Sequence, residues 1–126
     1  MHEHVAFVPD AIPGFDDVGY RPAADDHVLP RQVSPHADPA STFEDSLVQA
    51  GGMVDPSLGL LAVTSWNEWF EDSQIEPTAP APPATGPASI TGGYPFTSYG
   101  FSLLDLLSRF EQAWEEWPHR GRVTAF

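Results

Sequence analysis

Residues 60–77, LLAVTSWNEWFEDSQIEP, fall into two parts of opposite character. Residues 60–64 are apolar with β-branched members, the pattern of a strand buried on both faces. From Ser65 onward the chain crowds carboxylates, amides and aromatics together: Trp66, Asn67, Glu68, Trp69, Phe70, Glu71, Asp72, Gln74 and Glu76. A turn that only connects two elements draws on Gly, Pro, Asn and Asp. Large aromatics beside acids at the exit of a buried strand predict a polar pocket with apolar walls.

Glu68 and Glu71 are three residues apart. In an extended strand they would face opposite ways, whereas in a turn or a first helical turn they share a side. Two carboxylates on one rim, walled by Trp66, Trp69 and Phe70, suit glycosidic bond cleavage. One carboxyl serves as general acid, and the other as nucleophile, base or electrostatic partner. Aromatic rings also stack on the C–H faces of sugars. The competing reading is a solvated acidic helix start, since Asp and Glu favour first turns.

Upstream, residues 5–8 read as a short buried strand and residues 9–22 as a long loop leaving its end, with Asp16, Asp17, Tyr20 and Arg21 projecting from it. Residues 22–39 are polar and rich in Pro and Asp, a surface loop in which His27 and His36 are solvated. Ser41-Thr42-Phe43-Glu44 has the form of a capping box, and Phe43, Leu47 and Val48 give a one-faced helix over 41–51 that ends near Gly51-Gly52. The order strand, loop, helix, strand predicts a βαβ unit with a parallel pair and a right-handed crossover. Both polar loops then leave the C-terminal ends of parallel strands, on one rim.

Residues 78–93 are low-complexity and read as a surface excursion, followed by aromatics at 94–99 that pack. Leu103, Leu106, Leu107, Phe110, Ala113, Trp114 and Trp117 recur at helical spacing, with Asp105, Glu111, Glu115 and Glu116 opposite. This predicts a terminal amphipathic helix within 99–117, its apolar stripe against the sheet, stopped by Pro118 and followed by a tail. His2-Glu3-His4 has ligand-like spacing but no third ligand nearby and reads as a frayed start.

The stretch TSWNEWFEDSQIEP resembles the signature TSFNEWHEGTQIEP of the glycoside hydrolase family 99 endo-α-mannosidases and their bacterial relatives. The match runs through Thr64, Ser65, Asn67, Glu68, Trp69, Glu71, Gln74, Ile75, Glu76 and Pro77. A second stretch, FVPDAIPGFDDVGYRP at 7–22, is similar to a segment of that family ending PGYxDTxxRP, through Pro13, Gly14, Asp17, Arg21 and Pro22. Phe70 stands where the family has His, and Asp72-Ser73 where it has Gly-Thr. The WbsX-like polysaccharide proteins carry a related WNEWxEGxxLEP motif.

The resemblance implies a (β/α)8 barrel, of which this chain would be the C-terminal portion, since such barrels take roughly 250 residues and this chain has 126. It implies a retaining glycosidase that needs no metal or cofactor and cleaves α-mannoside-type glycans or polysaccharides. Neighbouring-group participation by the sugar 2-hydroxyl replaces a protein nucleophile. Glu68 would be the base on that hydroxyl and Glu71 the acid/base on the leaving oxygen. Trp66, Asn67, Trp69, Gln74 and Glu76 would contact the sugar, and Asp17 and Arg21 would line or brace the site.

The net charge is −13, from 18 acids against five arginines with no lysine. Nucleic acid and anionic membranes are disfavoured as partners. Such a composition fits a high-salt cytoplasm, where screening relieves self-repulsion; a codon bias against lysine is the alternative. No cysteine is present, which excludes disulfides and thiolate metal sites. No signal peptide is visible, and no run approaches the roughly 18 apolar residues of a spanning helix. Two further readings stand beside the enzyme. One is a non-catalytic carbohydrate-binding or assembly fragment that requires an N-terminal partner chain. The other is a Ca²⁺ site from Asp16, Asp17, Asp25 and Asp26, which has the oxygen ligands but lacks a loop signature.

Overall fold

The computed structural model describes residues 5–21, 27–82, 90–91, 94–95 and 97–115. Its elements follow in the order β1 (Asp10–Ala11), β2 (Phe15–Asp16), β3 (Val28–Leu29), α1 (Ser41–Met53), β4 (Ala62–Val63), β5 (Ile90–Thr91), β6 (Tyr94–Pro95) and α2 (Ser102–Glu115). Strand β1 pairs in parallel with β4, Asp10 opposite Ala62 and Ala11 opposite Val63. The ladder is carried by Ala62 N–H to Pro9 O at 2.9 Å and Thr64 N–H to Ala11 O at 3.0 Å. Helix α1 lies between the two strands in sequence and packs on β1. The chain is therefore a mixed α/β unit built on a parallel pair.

Both strands differ from expectation in extent. Residues 5–8 were expected to be a buried strand, yet Val5 is 83% exposed, Phe7 and Val8 are also open, and pairing begins at Pro9 and Asp10. Residues 60–64 were expected to be buried on both faces, but only Ala62–Val63 are strand. Among the described residues only one face of β4 is covered, the one turned to the core with the helices: Leu61 and Val63 reach the core while Ala62 and Thr64 stay exposed, the period-two alternation of a half-buried strand.

The loops hold more order than their composition predicts. Strand β2, inside the expected loop after β1, pairs antiparallel with β3, which lies in the expected surface loop 22–39. Strands β5 and β6 form a third, antiparallel pair within and just after the low-complexity stretch. His27 and His36 are exposed.

Helix α1 begins without the expected capping box. Ser41 is already helical, and no side chain caps the N-terminus at Ala40. The Ser41 hydroxyl instead donates to Asp38 O at 2.7 Å, and the Asp38 carboxylate accepts Ala40 N–H at 2.8 Å. The two donors a box would satisfy go to backbone carbonyls: Ser41 N–H to Asp38 O and Glu44 N–H to Ala40 O, each at 2.9 Å. The buried face of α1 is Thr42, Phe43, Leu47, Ala50 and Gly51, while Val48 is exposed. Gly51 does not end the helix, which continues to Met53. A Cβ there would meet Phe110 Cζ and Trp114 Cζ3 at 2.9 Å each, so this glycine lets α2 approach.

Helix α2 packs on α1 and turns its apolar stripe to the core it shares with the parallel pair. Leu103, Leu106 and Trp114 are buried, with Leu104, Leu107 and Phe110 partly so, and Ala113 is exposed. These side chains join Ala11, Phe43, Leu47, Ala50, Leu61, Ile75 and Tyr99 in one core between the helices and the parallel pair. Tyr99, from the aromatic stretch, is buried in this core, and Phe96 lies outside the described residues. Trp117, Glu116, Pro118, the tail and His2-Glu3-His4 lie outside the described residues. No helix among the described residues is long and apolar enough to cross a membrane.

Candidate functional site

Because β1 and β4 are parallel, the loops that follow them leave the same end of the sheet. The loop after β4 closes on itself. Ser65 N–H donates to Ser73 O, Ile75 N–H to Ser65 O and Glu76 N–H to Trp66 O, each at 2.9 Å. Residues 66–72 therefore form a lobe whose two ends are zipped together. Inside it, the Ser65 hydroxyl accepts Glu68 N–H at 2.9 Å and sits 3.3 Å from the Ser73 hydroxyl. The Thr64–Ser65 peptide at its entrance is cis.

The two carboxylates that the sequence singles out have different partners. The Glu68 carboxylate accepts Phe70 N–H at 3.2 Å, a neutral donor within its own lobe. The Glu71 carboxylate stands 3.5 Å from Arg21 Nη2, a cation on the loop after β1. The backbones of the two loops also join, through Asp16 N–H to Glu71 O at 2.8 Å.

Arg21 is itself held from behind. Its Nη1 lies 3.1 Å from Asp17 Oδ2, and the Asp17 side chain is 0% exposed. Asp17 Oδ1 accepts His27 N–H at 3.2 Å, while Asp17 O accepts the N–H groups of Tyr20 and Arg21. Asp17 is thus a buried brace that aims Arg21, and Arg21 is the group that meets Glu71. Four aromatic side chains are exposed on these two loops: Tyr20 and Phe70 at 71% each, with Trp66 and Trp69 about half open. The Tyr20 and Phe70 rings are 5.5 Å apart and tilted.

Other expected site residues fall elsewhere. Asn67 is exposed at the lobe's tip, and its carbonyl accepts Trp69 N–H. Gln74 is buried, and its amide nitrogen donates to Asp72 Oδ1 at 3.2 Å. Glu76 is half-buried, and its carbonyl accepts the Tyr99 hydroxyl at 2.8 Å. Asp25 and Asp26 of the Ca²⁺ alternative lie outside the described residues, and Asp16 Oδ1 accepts Val18 N–H at 2.8 Å. Among the described residues no three His, Cys, Asp or Glu side chains gather as a metal site would require.

One residue beneath the lobe escapes sequence reading. The Arg31 side chain is 10% exposed and bonds Asp72 Oδ1 through Nε and Nη2, at 3.2 and 3.1 Å. Its Nη2 also reaches the carbonyls of Asp72 at 2.8 Å and Gln74 at 2.9 Å. The guanidinium lies 4.7 Å from the centre of the Tyr99 ring. Burial pushes the Tyr99 hydroxyl above the usual phenol range, against the opposing charge of Arg31. The one hint in the sequence was scarcity, because a cation among so many acids is a candidate for pairing.

No protein-family model matches the chain, and no curated protein matches it.

Proposed function

We propose that the chain carries the paired-carboxylate site of a retaining glycoside hydrolase acting on α-mannoside-type glycans or polysaccharides. The observation that carries this reading is the meeting of the two loops, Glu71 with Arg21 and Asp17, beside four exposed aromatic rings. Carboxylates held by fixed partners next to open aromatic faces suit a ligand that offers hydroxyls on its edges and C–H groups on its faces. The resemblance of residues 64–77 to the family 99 signature assigns the roles. Glu68 takes the proton of the sugar 2-hydroxyl, whose oxygen closes on C1. The C1–O bond to the leaving sugar breaks as Glu71 donates its proton to that oxygen. Water then opens the anhydro ring at C1, giving a proton to Glu71 while Glu68 returns one to O2, so the anomeric configuration is retained. Trp66 and Trp69 stack on the sugar, and Arg21 orients Glu71.

On this reading the α/β unit is the C-terminal portion of a (β/α)8 barrel. Support comes from the parallel pair, whose site loops share the C-terminal end, where barrel enzymes keep their chemistry. The exposed Val5, Phe7 and Val8 suit contact with further strands. The same exposure favours a second reading, a carbohydrate-binding or assembly unit that acts only with a partner chain supplying those strands. Proton NMR of an α-mannan oligosaccharide incubated with the protein separates the two. Release of a new reducing end with the α-anomer formed first supports the glycosidase; a β-anomer formed first contradicts it. Binding without cleavage supports the second reading.

A further inference from the structure

We infer that Arg31 is a positioning residue for Glu71, acting through Asp72; the inference rests on the glycosidase reading of the site. Asp72 follows Glu71 directly and has φ of 46°, in the left-handed region that residues with a Cβ rarely occupy. An Asp in that conformation needs outside support. Arg31 provides it on both sides of the residue, holding the carboxylate through Nε and Nη2 and the carbonyl through Nη2. The third contact, to Gln74 O, fixes the chain two residues further on. With Asp72 and Gln74 both held, the direction in which the preceding Glu71 leaves the turn is set.

The support is itself anchored to the core. Arg31 O accepts Thr42 N–H at 3.1 Å, and the preceding Pro30 O accepts the Thr42 hydroxyl at 2.6 Å. Thr42 is buried in the first turn of α1, so the arginine's backbone moves with that helix. Gly14 makes room for its stem, since a Cβ there would lie 2.7 Å from Arg31 Cγ. Tyr99 covers the guanidinium, and its hydroxyl donates to Glu76 O on the segment that leaves the lobe. A guanidinium is the side chain that can make this many directed contacts at once, and an ammonium lacks the planar fork.

The test uses three variants: Arg31→Gln, Arg31→Lys, and Arg31→Gln combined with Asp72→Gly. Glycine accepts positive φ without support, so it should relieve the need for the arginine. Hydrolysis is measured on two aryl α-mannosides, one with a poor and one with an activated leaving group. Amide exchange is followed at Asp16, whose N–H reports the place of Glu71 O, and at Leu47 in the core. Arg31→Gln should lower kcat about 100-fold on the poor leaving group, the scale set by small misplacements of a catalytic group. The activated substrate, which needs less help from an acid, should lose less, with KM little changed on both. Protection should fall at Asp16 and persist at Leu47. Lysine should not restore it, and Asp72→Gly should restore part.

Loss of protection at Asp16 and Leu47 together would overturn the inference, since Arg31 would then serve stability alone. Unchanged kcat with Asp16 still protected would also overturn it. Should the wild-type protein cleave no mannoside, the glycosidase reading falls, and the exchange pattern alone decides whether Arg31 sets the position of Glu71.

Discussion

Arg21 lies between two carboxylates of unequal exposure, 3.1 Å from the fully buried Asp17 and 3.5 Å from the half-open Glu71. The arrangement joins the loops of two parallel strands through one side chain. Asp17 is the anchored end and Glu71 the end available to a ligand. Among the described residues, removing Arg21 leaves the Asp17 carboxylate with the His27 N–H as its outside donor. Arg21→Ala should therefore cost ~1–3 kcal/mol, the penalty for a buried polar group that loses a partner. Asp17→Ala should cost at least as much, because it also frees His27 N–H. Urea unfolding of both variants measures this; a loss under ~0.5 kcal/mol for each would show the brace to be idle.

Two adjacent glycines in α1 should respond oppositely to alanine. At Gly51 the new methyl meets Phe110 and Trp114 at 2.9 Å. Overpacking of that kind costs ~1–3 kcal/mol, more than the ~1 kcal/mol gained in helix propensity. At Gly52 nothing lies within 4 Å of the new methyl, so Gly52→Ala should stabilise by about 0.5–1 kcal/mol. Thermal unfolding should place the two variants on either side of the wild type. Equal shifts would mean that α2 does not pack where it is placed.

Stability should fall at alkaline pH because of Tyr99. Its hydroxyl is raised above the ordinary phenol value by burial, so the folded state keeps the proton longer than the unfolded chain. The contribution is complete below about pH 10, the unfolded value, and is lost as pH rises through the folded one. Tyr99→Phe should flatten that alkaline decline while costing ~1 kcal/mol at neutral pH for the bond to Glu76 O. An alkaline slope unchanged by the substitution would contradict the burial of this hydroxyl.

Salt should stabilise the fold. A net charge of −13 on 126 residues repels itself, and raising ionic strength from about 0.1 M to about 1 M shortens the screening length from about 10 Å to about 3 Å. The midpoint of thermal unfolding should rise across that range. A falling midpoint would mean that ion pairs such as Arg31–Asp72 outweigh the repulsion.

The parts of this architecture that could be read from sequence are those set by local pattern. The spacing of Leu103, Leu106 and Trp114 gave helix α2 and its buried face, and the polar break after Thr64 marked the end of β4 and the start of the loop that follows it. The same reasoning places residues 5–8 and 60–64 inside, because an apolar run reads as buried whether or not a second packed layer exists to cover its other face. Val48 and Ala113 read as core for the same reason, and among the described residues both are exposed. Arg31 was invisible for a different reason. Its partners Asp72 and Gln74 lie 41 and 43 residues away, and nothing in the local composition of 22–39 signals a contact at that range. The place of Asp17 beside Arg21 was readable because the pair is four residues apart.

The glycosidase reading turns on Glu71. Glu71→Gln keeps the shape and the backbone bond to Asp16 but removes the proton donor, and Glu68→Gln removes the proposed base. Hydrolysis of an α-mannoside should fall at least about 100-fold in each, the usual contribution of a positioned acid or base, while titration calorimetry shows oligomannoside binding retained. Full turnover by the Glu71→Gln variant would contradict the assignment.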